Sequence, residues 1–141
     1  MTILGVQIYV ILLAAAAAWI AGGVWYGVLA KPWMAALGKT REELMGPSGR
    51  PSPGPYILSF LADVLLALII ALAMAAISGG HGGVRAGMVV ALLLWAGCVL
   101  TTISVNNAFA GRPLMLTMID AGHWLLAMLV AGAVVGAFPL S

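Results

Sequence analysis

Charge is what this sequence has least of. Only 7% of its 141 residues are charged, against about 25% in a soluble domain, which is too little to cover a water-facing surface. Cysteine is nearly absent too. The single Cys98, deep in an apolar run, excludes an internal disulfide and any cysteine-based metal site. The six basic side chains are spread over connecting segments and form no nucleic-acid surface. Met1 to Gln7 carries no positive side chain ahead of the first apolar run, so the pattern of a cleavable signal peptide is missing and that run is expected to remain as a helix. No His-Glu-x-x-His motif, cysteine pair or nucleophile–base pattern occurs, which leaves no catalytic residue, metal set or cofactor to assign.

Apolar sequence is what the chain has in excess. Hydrophobic residues make up 64% of it, and the mean hydropathy is +1.15. A helix needs about 20 apolar residues to cross a hydrocarbon layer about 30 Å thick. Four stretches qualify, at roughly 3–29, 56–78, 84–108 and 114–138. Backbone in lipid must satisfy its own hydrogen bonds, so helices are the reading of such runs. The expectation is an all-α integral membrane protein: a single four-helix transmembrane domain over residues 1–141. The first run is slightly too long, roughly 40 Å at 1.5 Å per residue. Tilt, or a break at Gly22-Gly23, would accommodate it.

The connections differ in kind. Residues 31–55 form a long polar segment. Within it Pro32 suits a first helical turn, Trp33, Ala36 and Leu37 suit a membrane interface, and Gly38 suits a stop. The spacing thus predicts a short interfacial helix between the first and second spans. Thr40-Arg41-Glu42-Glu43 reads as a capping box, and the prolines from Pro47 to Pro55 predict irregular chain. Residues 110–113 are a tight turn. Gly79 to Gly83 is a short glycine-rich link, in which His81 is expected to be solvated. Lys31, Lys39, Arg41, Arg50 and Arg112 fall on one side of the spans and only Arg85 on the other. By the positive-inside rule, segments 31–55 and 110–113 are cytoplasmic and both termini lie outside, in a multi-pass protein of the cell (inner) membrane.

The informative side chains are those that should not be in lipid. An ionisable group there costs a few kcal/mol or more, so it turns inward and takes a partner. Asp63, Asp120 and His123 are the candidates. Asp63 follows Tyr56 by about 10 Å of helix and Asp120 follows Leu114 by about 9 Å, which predicts similar depths on one side. Asn106 and Asn107 end the third span near that level, and Trp25 and Tyr26 end the first. Asp120 and His123 are neighbours on one helix face, and Trp124 covers the same side. Asp63, Asp120, His123, Asn106, Asn107, Tyr26 and Trp25 therefore form the candidate binding layer. Trp19 and Trp95, mid-span, read as core packing. Small residues spaced four apart mark helix contacts: Gly23 with Gly27, Gly132 with Gly136, Ala18 with Gly22, and Gly97 with Thr101.

Longer motifs resemble a known family. Gly23-Val24-Trp25-Tyr26-Gly27, Lys31-Pro32-Trp33 and Leu37-Gly38-Lys39-Thr40 resemble the opening signature of domain-of-unknown-function family 1761. Asn107-Ala108-Phe109-Ala110-Gly111-Arg112-Pro113-Leu114, then Ile119-Asp120 and Gly122-His123-Trp124, resemble its second signature. The resemblance runs from about Ala14 to Phe138. It implies a small four-helix bacterial-type membrane protein and carries no activity.

Two functional expectations follow. One is a small oligomeric permease or channel component with a proton- or cation-sensitive polar site near the cytoplasmic face. The other is a non-catalytic membrane scaffold or accessory subunit whose buried polar residues are interhelical glue. An enzyme is the least supported class. The expected partners are the lipid bilayer, further copies of the chain, and a small ion or proton; nucleic acid is not among them.

Overall fold

The computed structural model describes residues 1–3, 6–79 and 82–138. His81 lies outside them. Among the described residues, four helices are long and apolar enough to cross a membrane: Ile8–Val28, Pro53–Ile77, Gly83–Phe109 and Leu114–Ala137. The molecule is an all-α membrane bundle.

The first span, α1 (Ile8–Val28), starts later than its apolar run. Thr2–Ile3 (β1) instead pairs antiparallel with Val6–Gln7 (β2), Thr2 opposite Gln7 and Ile3 opposite Val6. The surplus length of the run is thus folded back, and Val6 is buried against the bundle. No break occurs at Gly22-Gly23, since α1 continues through both.

Two short helices follow. The first, α2 (Ala30–Leu37), leaves α1 across Leu29. The chain stays hydrogen-bonded through this joint: Leu29 N–H donates to Trp25 O at 2.9 Å and Trp33 N–H to Leu29 O at 2.9 Å. Gly38 ends α2 in the left-handed region at φ 71°, a conformation that costs a residue with a Cβ. The second, α3 (Arg41–Met45), begins on a complete capping box. Thr40 N–H donates to Glu43 Oε2 at 2.7 Å, and Glu43 N–H donates to Thr40 Oγ1 at 3.3 Å.

The second span, α4 (Pro53–Ser78), begins three residues before the expected Tyr56, inside the proline-rich stretch. Pro53 and Pro55 sit in its first turn, where a backbone N–H has no intrahelical acceptor and its absence costs nothing. The third span is interrupted. It runs as α5 (Gly83–Leu94), a π-helical stretch at Trp95–Leu100, and α6 (Thr101–Phe109). Thr101 Oγ1 donates back to Gly97 O at 2.8 Å within this stretch. A π turn holds an extra residue, so side chains beyond it are rotated relative to those before it. The turn to the last helix, α7 (Leu114–Ala137), is closed by Arg112 N–H to Asn107 O at 2.9 Å, with Gly111 left-handed at φ 64°.

At the centre stands α7, which packs against α1, α4 and the third span. Its closest partner is α5. A Cβ on Gly87 would strike Gly132 O, one on Gly132 would strike Gly87 O, and one on Gly136 would strike Gly83 O. The two backbones are in contact, as small residues permit in a membrane. Around this seam lies a core of alanines with larger apolar side chains among them, including Ala14, Ala18, Ala67, Ile70, Met74 and Ala131. The outer faces carry exposed apolar groups such as Ile20, Val24, Leu61, Leu65 and Leu93, the surface that lipid covers.

Candidate functional site

The polar groups converge where the C-terminal end of α1 meets the N-terminal half of α7. Asp120 lies six residues into α7, about 9 Å along it at 1.5 Å per residue. The last turn of α1 sets Tyr26 opposite, and its hydroxyl donates to Asp120 Oδ1 at 2.7 Å. The same oxygen accepts from Trp33 Nε1 on α2 at 3.2 Å. Hydrogen bonds to a carboxylate are shorter and stronger than neutral ones, so Oδ1 ties three helices together. The other oxygen, Oδ2, accepts nothing from the described residues.

The backbone around Asp120 is gripped as well. Trp25 Nε1 donates to Ile119 O at 3.0 Å, and Trp95 Nε1 donates to Ala121 O at 2.8 Å. Trp25 comes from α1 and Trp95 from the start of the π stretch, so α7 is held on both flanks of Asp120. Buried indole N–H groups take acceptors where they can. Here the acceptors are carbonyls that also serve the helix.

Rings fill the rest. Tyr26 stands against Trp33 at 5.3 Å and 63° between planes, and against His123 at 4.7 Å and 34°. His123 in turn meets Trp124 at 5.0 Å. The glycines make room for these rings. A Cβ on Gly22 would lie 2.5 Å from His123 Nε2, and one on Gly122 would lie 2.7 Å from the Trp25 ring. His123 Nδ1 is buried and has no hydrogen-bond partner among the described residues.

Of the seven residues singled out from sequence, the structure gathers Trp25, Tyr26, Asp120 and His123. Asn107 joins at the margin: its Nδ2 donates to Thr117 Oγ1 at 3.0 Å, one turn before Asp120. Asn106 is exposed and stays apart. Asp63 stays apart too. It is buried, at 4% exposure, on the α4 face that carries Ala67, Ile70, Ala71 and Met74. No hydrogen bond or ion pair reaches it from the described residues. On α1, Trp19 reaches α4 at Ser59 whereas Tyr26, seven residues on, reaches Asp120, and Asp63 lies a further turn beyond Ser59 from the Tyr26 end, so the expected common depth with Asp120 does not hold. Ser59, one turn away, is occupied by Trp19, whose Nε1 donates to Ser59 Oγ at 2.9 Å and Tyr56 O at 3.2 Å. Trp19 is therefore a clasp between α1 and α4 at the edge of the bundle, 39% exposed, rather than a core residue.

Trp33 is the member that sequence reasoning missed. Its sequence setting is that of an interfacial residue of the connecting segment, and its position seven residues after Tyr26 gives no reason to aim it at Asp120. No group of three His, Cys, Asp or Glu side chains suited to a metal ion occurs among the described residues. What the cluster can do is present one carboxylate among aromatic rings, with one oxygen and a nearby imidazole nitrogen that have no partner among the described residues.

A family model described as "Protein of unknown function (DUF1761)" matches residues 9–136. No curated protein matches the chain, and no solved structure does.

Proposed function

The chain belongs to that DUF1761 family of unknown function, and from its geometry we propose that it is a small permease or channel component whose proton- or cation-sensitive group is Asp120. One observation carries this reading. Asp120 uses a single oxygen for Tyr26 and Trp33 and keeps the other without a partner among the described residues. A carboxylate serving only as glue would be expected to spend both oxygens, since an unused one in lipid is costly. Oδ2 is the oxygen for a proton or cation. His123 stands one turn along and offers a second nitrogen. Asp63 is a separate, deeper carboxyl.

A four-helix bundle has little interior, and working as a homo-oligomer would give such a path its walls. The placing of Lys31, Lys39, Arg41, Arg50 and Arg112 supports a cytoplasmic position for the Asp120 end, in the cell membrane. A reporter enzyme active only outside the cytoplasm, fused after Ser141, should then be active; an inactive fusion would reverse the orientation. The function itself is tested by ion flux in liposomes reconstituted with the purified chain. Asp120→Asn should abolish proton- or cation-dependent flux. Flux unchanged from wild type would rule the reading out.

A second reading, a non-catalytic scaffold or accessory subunit, is favoured by the indole clasps. Trp25 and Trp95 bind backbone carbonyls, which is what interhelical glue does. Under it, Asp120→Asn would lower stability in detergent and alter no flux.

A further inference from the structure

We propose that α2 is a strap that closes the Asp120 site from the side of the connecting segment, with Trp33 as its catch. This rests on reading Asp120 as the functional carboxylate; the geometry of the strap does not.

Three observations carry it. The joint with α1 at Leu29 is hydrogen-bonded on both sides yet departs from helical geometry, at φ −97° and ψ 17°. It is a natural hinge, a single residue at an element end that absorbs a change of direction. Next, no residue of α2 is fully buried: Trp33, Met34, Ala36 and Leu37 are half-buried, while Lys31, Pro32 and Ala35 are exposed. The helix therefore lies on the bundle rather than in it, as an amphipathic interfacial helix does. Last, its one side-chain hydrogen bond among the described residues runs from Trp33 Nε1 to Asp120 Oδ1. The Trp33 ring also lies edge-on to Tyr26, the other donor to that oxygen.

Together these make docking of α2 and occupancy of Asp120 competing events. A cation on Oδ2 that also draws on Oδ1 needs a lone pair there; Tyr26 and Trp33 take both, and the departure of Trp33 frees one. With α2 docked, Oδ1 is engaged and the Trp33 indole N–H lies 3.2 Å from it. With α2 swung out about Leu29, Trp33 leaves, Tyr26 remains, and the carboxylate faces the connecting segment. No other helix is asked to move, because α1, α7 and the third span are held by Trp25, Trp95 and the glycine seam.

The test is the rate at which a water-soluble carbodiimide with a glycine ester couples to each carboxyl of the full chain in nanodiscs, followed by peptide mass spectrometry. Asp63 is the internal control for general loosening, and Glu42 is the exposed reference. Trp33→Phe keeps a ring against Tyr26 and removes the donor. It should speed modification of Asp120 by about tenfold, the equivalent of one hydrogen bond to a charged group, with Asp63 and Glu42 unchanged. Trp33→Tyr keeps a donor and should restore slow modification. An Asp120 rate unchanged in Trp33→Phe overturns the strap. So does a parallel rise at Asp63, or a Trp33→Tyr variant as fast as Trp33→Phe. Coupling is read without any flux assay, so the strap can stand where the transport reading fails, and the reverse.

Discussion

Asp120 is legible in the sequence because a carboxylate in an apolar run needs a reason to be there. Its partner Tyr26 is nearly as legible, since an aromatic with a polar tip at the end of a span sits where lipid meets water. What the sequence hides is which groups touch. Asp63 obeys the same rule as Asp120 and yet has no partner among the described residues, because the α4 face that carries it is otherwise apolar. Trp33 is hidden for the opposite reason: it lies outside the spans and reaches back in. Glycine roles are equally local. Gly22 and Gly23 are adjacent and alike on paper, but only Gly22 faces His123. Gly22→Ala should destabilise the fold by about 1–3 kcal/mol, the usual cost of overpacking, as read by unfolding in mixed detergent. Gly23→Ala, with open space around its Cβ, should match wild type within about 0.5 kcal/mol. Equal effects would mean that His123 is not pressed on Gly22.

At the scale of elements, hydropathy locates the four spans but says nothing of how each is used. The third span reads as one uniform run, and its π stretch has no signature in composition. Its consequence is specific all the same, since Trp95 at its start and Asn107 beyond it both reach α7. The small-residue spacings divide similarly. Gly132 and Gly136 press on α5, whereas a Cβ on Gly23 or Gly27 would meet nothing within 4 Å among the described residues. The α5 partners Gly83 and Gly87 are hidden in the sequence because Gly83 belongs to a glycine-rich link. Gly87→Leu should therefore separate α5 from α7 and prevent folding to a monodisperse species in detergent, because the obstacle is backbone rather than a movable side chain. Gly27→Leu should fold as wild type. Size-exclusion profiles of the two variants decide the point, and a well-folded Gly87→Leu protein would show that the seam tolerates distance.

For the molecule as a whole, the arrangement is one central helix with three spans laid against it, and aromatic donors aimed at a single turn of that helix. Trp25, Tyr26, Trp33 and Trp95 arrive from α1, α2 and the third span and all bind within residues 119–121. Both the proposed function and the strap depend on that concentration. A double-mutant cycle on Tyr26 and Asp120 measures it. Unfolding free energies are compared for wild type, Tyr26→Phe, Asp120→Leu and the pair, in the same detergent mixture. The bond between them should appear as a coupling of about 0.5–3 kcal/mol, the range for residues in one hydrogen-bonded network. Additive losses, within about 0.5 kcal/mol, would mean that the two side chains act independently and that no site is assembled around Asp120.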